Sequence, residues 1–356
     1  MNVLILGGTG AMGSHLVSLL ANATGGYKIY CTSRQARKNS DNVQYLKGNA
    51  HDLDFISKVL SANQWDAIVD FMSYSTREFQ DRVNILLDGT KHYIYLSSAR
   101  VYAESQQLLT EDSPRLLDVC KDTSYLSTDE YALKKARQEN FLRTSEKTNW
   151  TIVRPYVTFS EYRLQLSPLE KEFWLYRALN RRTIVFSKEL ANKTTTFTYG
   201  YDVARGIASL IGKKEAFAEA FHIVGNETYK WSDILEIYLD ALEHHTGIRP
   251  KVMMLEEWKP FLGGNRYQVK WDRLYNRTFD NSKINKFIDT SSFKPIRESL
   301  FSCVASFIGK PQYKPIRWDY EARKDILTGE KASMKEISGV RQKIKYYWGR
   351  MGLQLL

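Results

Sequence analysis

The sequence predicts an α/β chain built on a doubly wound parallel sheet, with a smaller, interleaved C-terminal substrate lobe. Three observations carry this prediction. Short apolar runs alternate with longer amphipathic stretches through the first half of the chain, as they do where each crossover helix covers one face of a parallel sheet. A glycine-rich turn follows the first apolar run directly. After Arg154-Pro155 the alternation becomes irregular, comes back once near Phe221 and leaves again, so the two lobes exchange chain.

The predicted strands of the first lobe are Val3–Leu6, Lys28–Cys31, Val43–Leu46, Ala67–Asp70, Tyr93–Leu96 and Thr151–Val153, each short, apolar and rich in β-branched or aromatic residues. Between the first two, Met12, Leu16, Leu19 and Leu20 recur at spacings of three and four, which marks one buried helix face. The stretch from Leu164 to Leu190 reads as polar and helical, followed by a strand over residues 194–199. The chain then returns to the sheet over residues 221–224 and leaves through a helix over residues 231–242. These elements give residues 1–155 as a nucleotide-binding domain with a return segment 196–226. Residues 156–195 and 227–312 form the substrate lobe, and residues 313–356 a basic helical extension.

With 356 residues, 43% hydrophobic and 13% aromatic, the chain has ample material for two packed lobes, which excludes wholesale disorder. Cys31, Cys120 and Cys303 form no CxxC pair, which argues against a disulfide framework and a zinc ribbon. No basic leader precedes the first apolar run and no run reaches spanning length, so a cytoplasmic protein with no membrane association is expected. The net charge of +11 suits a nucleic acid, a membrane surface or a polyanionic small ligand equally well. Much of the excess lies where Arg341, Lys343, Lys345 and Arg350 interleave with Tyr346, Tyr347 and Trp348, and a solvated helix face with aromatic anchors is the reading preferred there.

The turn Gly7-Gly8-Thr9-Gly10-Ala11-Met12-Gly13 stands between a strand and a helix. Gly7 permits the tight turn, Gly10 lets the backbone approach a pyrophosphate, and Gly13 allows close helix–sheet packing, while the helix start offers free N–H groups to the anion. Thr9, Ala11 and Met12 complete this cofactor-binding loop, and the context makes the fold Rossmann-type. At the end of the second strand an NAD site would carry an acidic residue; here stand Thr32-Ser33-Arg34, with Arg37 and Lys38 following. A hydroxyl and a guanidinium suit a 2′-phosphate, so NADP is expected in preference to NAD, bound by Ser33 and Arg34. Asn49 is placed near the adenine, Asp52 reads equally as a helix cap, and Phe71-Met72-Ser73 lie near the middle of the cofactor because ligands sit at strand carboxyl ends.

Tyr131 and Lys135 are one helical turn apart on one face, so an ammonium can stabilise a phenolate. An ordinary phenol, titrating near pH 10, is a poor base at neutral pH. Ser98, just after the fifth predicted strand, can hold a substrate oxygen. A Tyr-x-x-x-Lys spacing alone is weak, but here it follows the glycine turn and the post-strand serine in the order such a site requires. His244 and His245 lack acidic or cysteine neighbours at ligand spacing, and no metal site is expected. His15 reads as a packing or surface residue, and Glu256 with Glu257 as a solvated face.

On these residues the chain resembles the extended short-chain dehydrogenases, the NAD-dependent epimerase/dehydratase group. Trp65–Tyr74, Ser97–Tyr102 and the segment Phe279-Asp280-Asn281-Ser282-Lys283-Ile284 look closer to the branch that includes chloroplast stem-loop-binding proteins and bacterial relatives. The resemblance implies Tyr131 as acid/base, Lys135 as its stabiliser and ribose ligand, Ser98 as the group polarising the reacting oxygen, and Pro155 beside the nicotinamide. It also implies a homodimer. The 4,6-dehydratases of that group carry Asp-Glu where this chain has Ala99-Arg100, which disfavours dehydration. The leading expectation is an NADPH-dependent reductase of a 4-keto nucleotide sugar. The alternatives are an epimerase holding NAD(P) tightly and, from another class, a nucleic-acid-binding protein on a dehydrogenase scaffold.

Overall fold

The computed structural model describes residues 1–352. The chain divides into two compact units, one of residues 1–160, 196–227 and 277–294, the other of residues 161–195, 228–276 and 295 onward. Residues 277–294, expected in the second lobe, belong to the first unit. They join the first because Leu109 N–H donates to the Thr278 carbonyl at 2.9 Å and Asp280 N–H returns the bond to Leu109 at 2.9 Å. The Arg277 guanidinium adds bonds to the carbonyls of Tyr102 and Ala103. Residues 313–352 belong to the second unit and form no separate body; the last four residues of the predicted extension lie outside the described ones.

The first unit is built on a seven-stranded parallel sheet: β1 (Asn2–Leu6), β2 (Lys28–Ser33), β3 (Val43–Lys47), β4 (Ala67–Asp70), β5 (Tyr93–Leu96), β6 (Trp150–Pro155) and β7 (Glu219–Ile223). Their spatial order is β7-β6-β5-β4-β1-β2-β3, so the order reverses between β1 and β4, and ligands bind at such a switch point. Apolar side chains bury both faces, as parallel strands require. One core joins Val3, Ile5, Leu16 and Leu20 to Val203 and Ile207. The other joins Leu4, Leu6, Ile56, Trp65 and Leu86.

The second unit packs the helix Trp231–Thr246 against Ile296–Gly309 and pairs the short strands Ile184–Ser187 and Val252–Leu255 in parallel. The stretch 164–190 is not the helical segment that the sequence predicts. It holds only Leu175–Leu179, part of Lys188–Ala191 and a strand, because its buried Leu164, Leu166, Leu169, Trp174 and Leu175 keep no helical spacing. The helices Trp318–Thr328 and Val340–Arg350 form a hairpin around Trp318, Ala322 and Tyr346. Arg177 anchors the first of these helices, pairing with Glu321 at 2.9 Å and Asp325 at 2.7 Å, all three fully buried.

Candidate active site

The turn after β1 is shaped by its own glycines. Gly7 adopts a positive φ of 70°, and its N–H donates to the Thr32 hydroxyl at 3.1 Å, locking the turn to the end of β2. A Cβ on Gly13 would stand 2.6 Å from the Gly8 Cα, so the helix Gly13–Ala21 approaches the backbone of the turn more closely than any side chain permits. A Cβ on Gly10 would meet nothing nearer than the Gly7 carbonyl at 3.8 Å. That glycine therefore leaves space to a ligand rather than to the protein. Ser14 N–H donates to the Gly10 carbonyl at 3.0 Å, while no side chain caps the helix and no acidic residue lies in its first turn, so the positive end of the helix dipole is open to an anion.

A cleft of about 320 Å³ opens there, lined by Gly7, Thr9 and Gly10, by Thr32, Ser33 and Arg34, by Gly48, Asn49, Ala50 and His51, and by Phe71, Met72 and Ser73. Eight predicted cofactor residues, the exposed Arg34 among them, thus share one cleft, and none of the lining residues is a carboxylate. Ala11, Met12, Gly13 and Pro155 do not line it: Met12 and Gly13 serve the helix start and its packing, and Pro155 is buried at the end of β6. Asp52 caps the helix Leu53–Ser61, accepting from Asp54 N–H at 2.9 Å. Sequence reasoning missed His51, whose ring meets Glu78 at 3.0 Å. The Ser75 amide, and to a lesser degree His51, hold Glu78 down to about 2. The signal available was only its position two residues past Asn49.

Lys135 lies beside this cleft. It is 2% exposed, and its ammonium donates to the carbonyl of Leu96 at 2.6 Å and of cleft-lining Met72 at 3.4 Å. Burial pushes its pKa down to about 7, with the Asp70 carboxylate opposing. Asp70 is itself fully buried, accepts from the Tyr93 hydroxyl at 2.9 Å, and is raised by burial. Ser98, buried just past β5, accepts from Arg100 N–H at 3.2 Å and keeps its own hydrogen to donate.

Tyr131 is the first residue of the helix Tyr131–Arg143, which Glu130 caps by accepting from Ala132 N–H at 2.8 Å. Glu130 also pairs with Arg100 at 2.7 Å. That pair sets the Arg100 guanidinium 5.2 Å from the centre of the Tyr131 ring. Lower on the helix Glu139 takes two bonds from Arg154 at 2.8 and 2.7 Å and one from the Ser97 hydroxyl at 2.6 Å, fixing the helix to β6 and to the residue beside Ser98. His15 packs edge-on to Tyr199 and Tyr201, Glu256 and Glu257 are exposed and pair with Lys188 and Lys259, and His244 with His245 are exposed. Among the described residues no three His, Cys, Asp or Glu side chains converge to hold a metal.

Residues 3–224 match the family model described as the NAD dependent epimerase/dehydratase family. A curated relative, the chloroplast stem-loop binding protein of 41 kDa b from Arabidopsis thaliana, is 25% identical over 241 residues, and the match spans 63% of this chain and 59% of that protein. A UDP-N-acetylglucosamine 4-epimerase from Methanobrevibacter ruminantium, solved with UDP-N-acetylmuramic acid, superposes with a TM-score of 0.66 at 20% identity, covering 87% of this chain and 98% of that one. A UDP-glucuronic acid 4-epimerase from Bacillus cereus, solved with UDP-glucuronic acid and NAD, gives 0.61 at 18% identity, covering 85% and 99%. A dTDP-glucose 4,6-dehydratase from Bacillus anthracis, solved with NAD, gives 0.63 at 16%, covering 87% and 97%. At such identities these likenesses speak for the fold.

Proposed function

The chain belongs to the NAD-dependent epimerase/dehydratase family, and from that premise we propose that it is an NADPH-dependent reductase of a 4-keto nucleotide sugar. The observation that carries the cofactor half is the cleft at the sheet's switch point, which ends at Ser33 and Arg34 and has no carboxylate in its lining. A carboxylate there would accept from a ribose 2′-hydroxyl and repel a 2′-phosphate, whereas a guanidinium binds the phosphate in a fork. When bound, the nicotinamide supplies the hydride for C4 of the sugar. Tyr131 delivers the proton to the carbonyl oxygen that becomes the hydroxyl, Ser98 donates to that oxygen, and Lys135 favours the phenolate left behind.

Ala99 and Arg100 offer neither the acid nor the base that dehydration needs, which supports a reaction ending at the alcohol. The second reading is an epimerase on a retained NAD(P), favoured by the similar solved epimerases, one of which holds NAD. Incubation with a UDP-4-keto sugar and NADPH, followed at the nicotinamide absorbance band, separates the two. One equivalent of NADPH consumed per product supports the reductase; C4-inverted product without net consumption supports the epimerase. No turnover, with salt-sensitive RNA binding that Tyr131→Phe leaves unchanged, moves the chain to the nucleic-acid class.

A further inference from the structure

The C-terminal helix Val340–Arg350 buries only one side. Tyr346 and Gly349 are buried in the hairpin. The Tyr346 hydroxyl donates to Asp325 at 2.7 Å, and a Cβ on Gly349 would stand 2.8 Å from the Ala322 Cβ, so the packed face is fixed by close approach. Val340, Ile344, Tyr347, Trp348 and Met351 are 40% to 74% exposed. At 3.6 residues per turn these five fall within an arc of about 100°, opposite Tyr346 and Gly349.

The charges follow the same geometry. Arg341 and Lys345 border the apolar arc on one side and Lys343 on the other, where Arg350 is turned back to the Glu330 carbonyl at 3.0 Å, and no Asp or Glu occurs after Glu336. We propose that this helix is an interfacial anchor that lies in the surface of an anionic lipid bilayer, with its apolar arc in the acyl boundary and its cations among the headgroups. An apolar stripe bordered by cations, carrying a Trp and a Tyr, is what an anionic interface selects. No helix of the described residues is long and apolar enough to cross a membrane, so the association is peripheral. A second copy of the chain fits the surface poorly, since two such faces paired symmetrically would set cations against cations. RNA fits poorly as well, because aliphatic Val340, Ile344 and Met351 hold the centre of the arc, where phosphate contacts would need the charges.

The test is sedimentation of the full chain with vesicles of phosphatidylcholine alone and with about 30 mol% phosphatidylglycerol. The proposal predicts binding to the mixed vesicles only, weakening with salt. Each of Arg341→Gln and Lys345→Gln should lower the partition coefficient by about five-fold, and Ile344→Glu/Trp348→Glu should abolish binding while leaving the melting temperature and the NADPH affinity unchanged. Retained binding in that double variant overturns the proposal, as does equal binding to neutral vesicles or none to either. Self-association or RNA binding that the same double variant removes, without vesicle binding, also overturns it and names the other occupant.

Discussion

The guanidinium of Arg100 stands 5.2 Å from the centre of the Tyr131 ring while paired at 2.7 Å with Glu130, the residue that caps the Tyr131 helix. A guanidinium held over an aromatic ring is attracted to its face and restrains the ring's orientation. Arg100→Leu is therefore expected to lower kcat/KM by about five-fold, with Arg100→Lys recovering part of it, whereas Tyr131→Phe lowers it by at least about 100-fold. Steady-state kinetics of the three variants check this; an Arg100→Leu enzyme equal to wild type contradicts it.

Lys135 carries a pH signature. Burial sets its folded pKa at about 7, below the roughly 10.4 of an unfolded lysine. Between these values the unfolded chain binds the extra proton, so this group makes stability rise with pH. Lys135→Met should therefore gain most relative to wild type below about pH 7, and the gain should vanish toward about pH 10. Melting curves of the ligand-free proteins across that window read the difference, and a pH-independent difference would refute it.

Glu139 and Arg154 are each no more than 1% exposed. Burial would raise the Glu139 pKa, yet the Arg154 charge and its bonds hold it below the ordinary carboxylate range. Glu139→Ala leaves a buried guanidinium without its carboxylate and should cost about 3–5 kcal/mol in urea unfolding. A loss under about 1 kcal/mol would show that the site relaxes to admit water.

Gly13→Ala places a methyl group 2.6 Å from the Gly8 backbone. The expected result is a lower melting temperature together with weaker NADPH binding, because the helix start that faces the cleft must move. Gly10→Ala, which meets no protein atom nearer than 3.8 Å, should keep its melting temperature and lose affinity alone.

Much of the first unit was legible in the sequence because its signals are local. Ala67–Asp70 and Tyr93–Leu96 coincide with the observed strands, since an apolar run bounded by polar turns has one way to enter a parallel sheet. Eight of the predicted cofactor residues meet for the same reason: strand ends converge at the switch point. The return of residues 277–294 was hidden, being held by long-range bonds from Arg277 and Leu109 that no period announces. Arg100 was visible only as a departure from a motif, and its place over Tyr131 depends on Glu130, thirty residues further along the chain. In the tail, composition showed aromatics among cations but not that Tyr346 turns inward while Tyr347 and Trp348 face solvent.

The most direct test of the central claim is titration of the purified full chain with NADPH and with NADH, followed by nicotinamide fluorescence, in wild type and Arg34→Ala. The account predicts tighter binding of NADPH, with the preference falling by about ten-fold or more in the variant as the charge-assisted bonds to the 2′-phosphate are lost. Binding of neither nucleotide by the wild-type protein would contradict the account at its root.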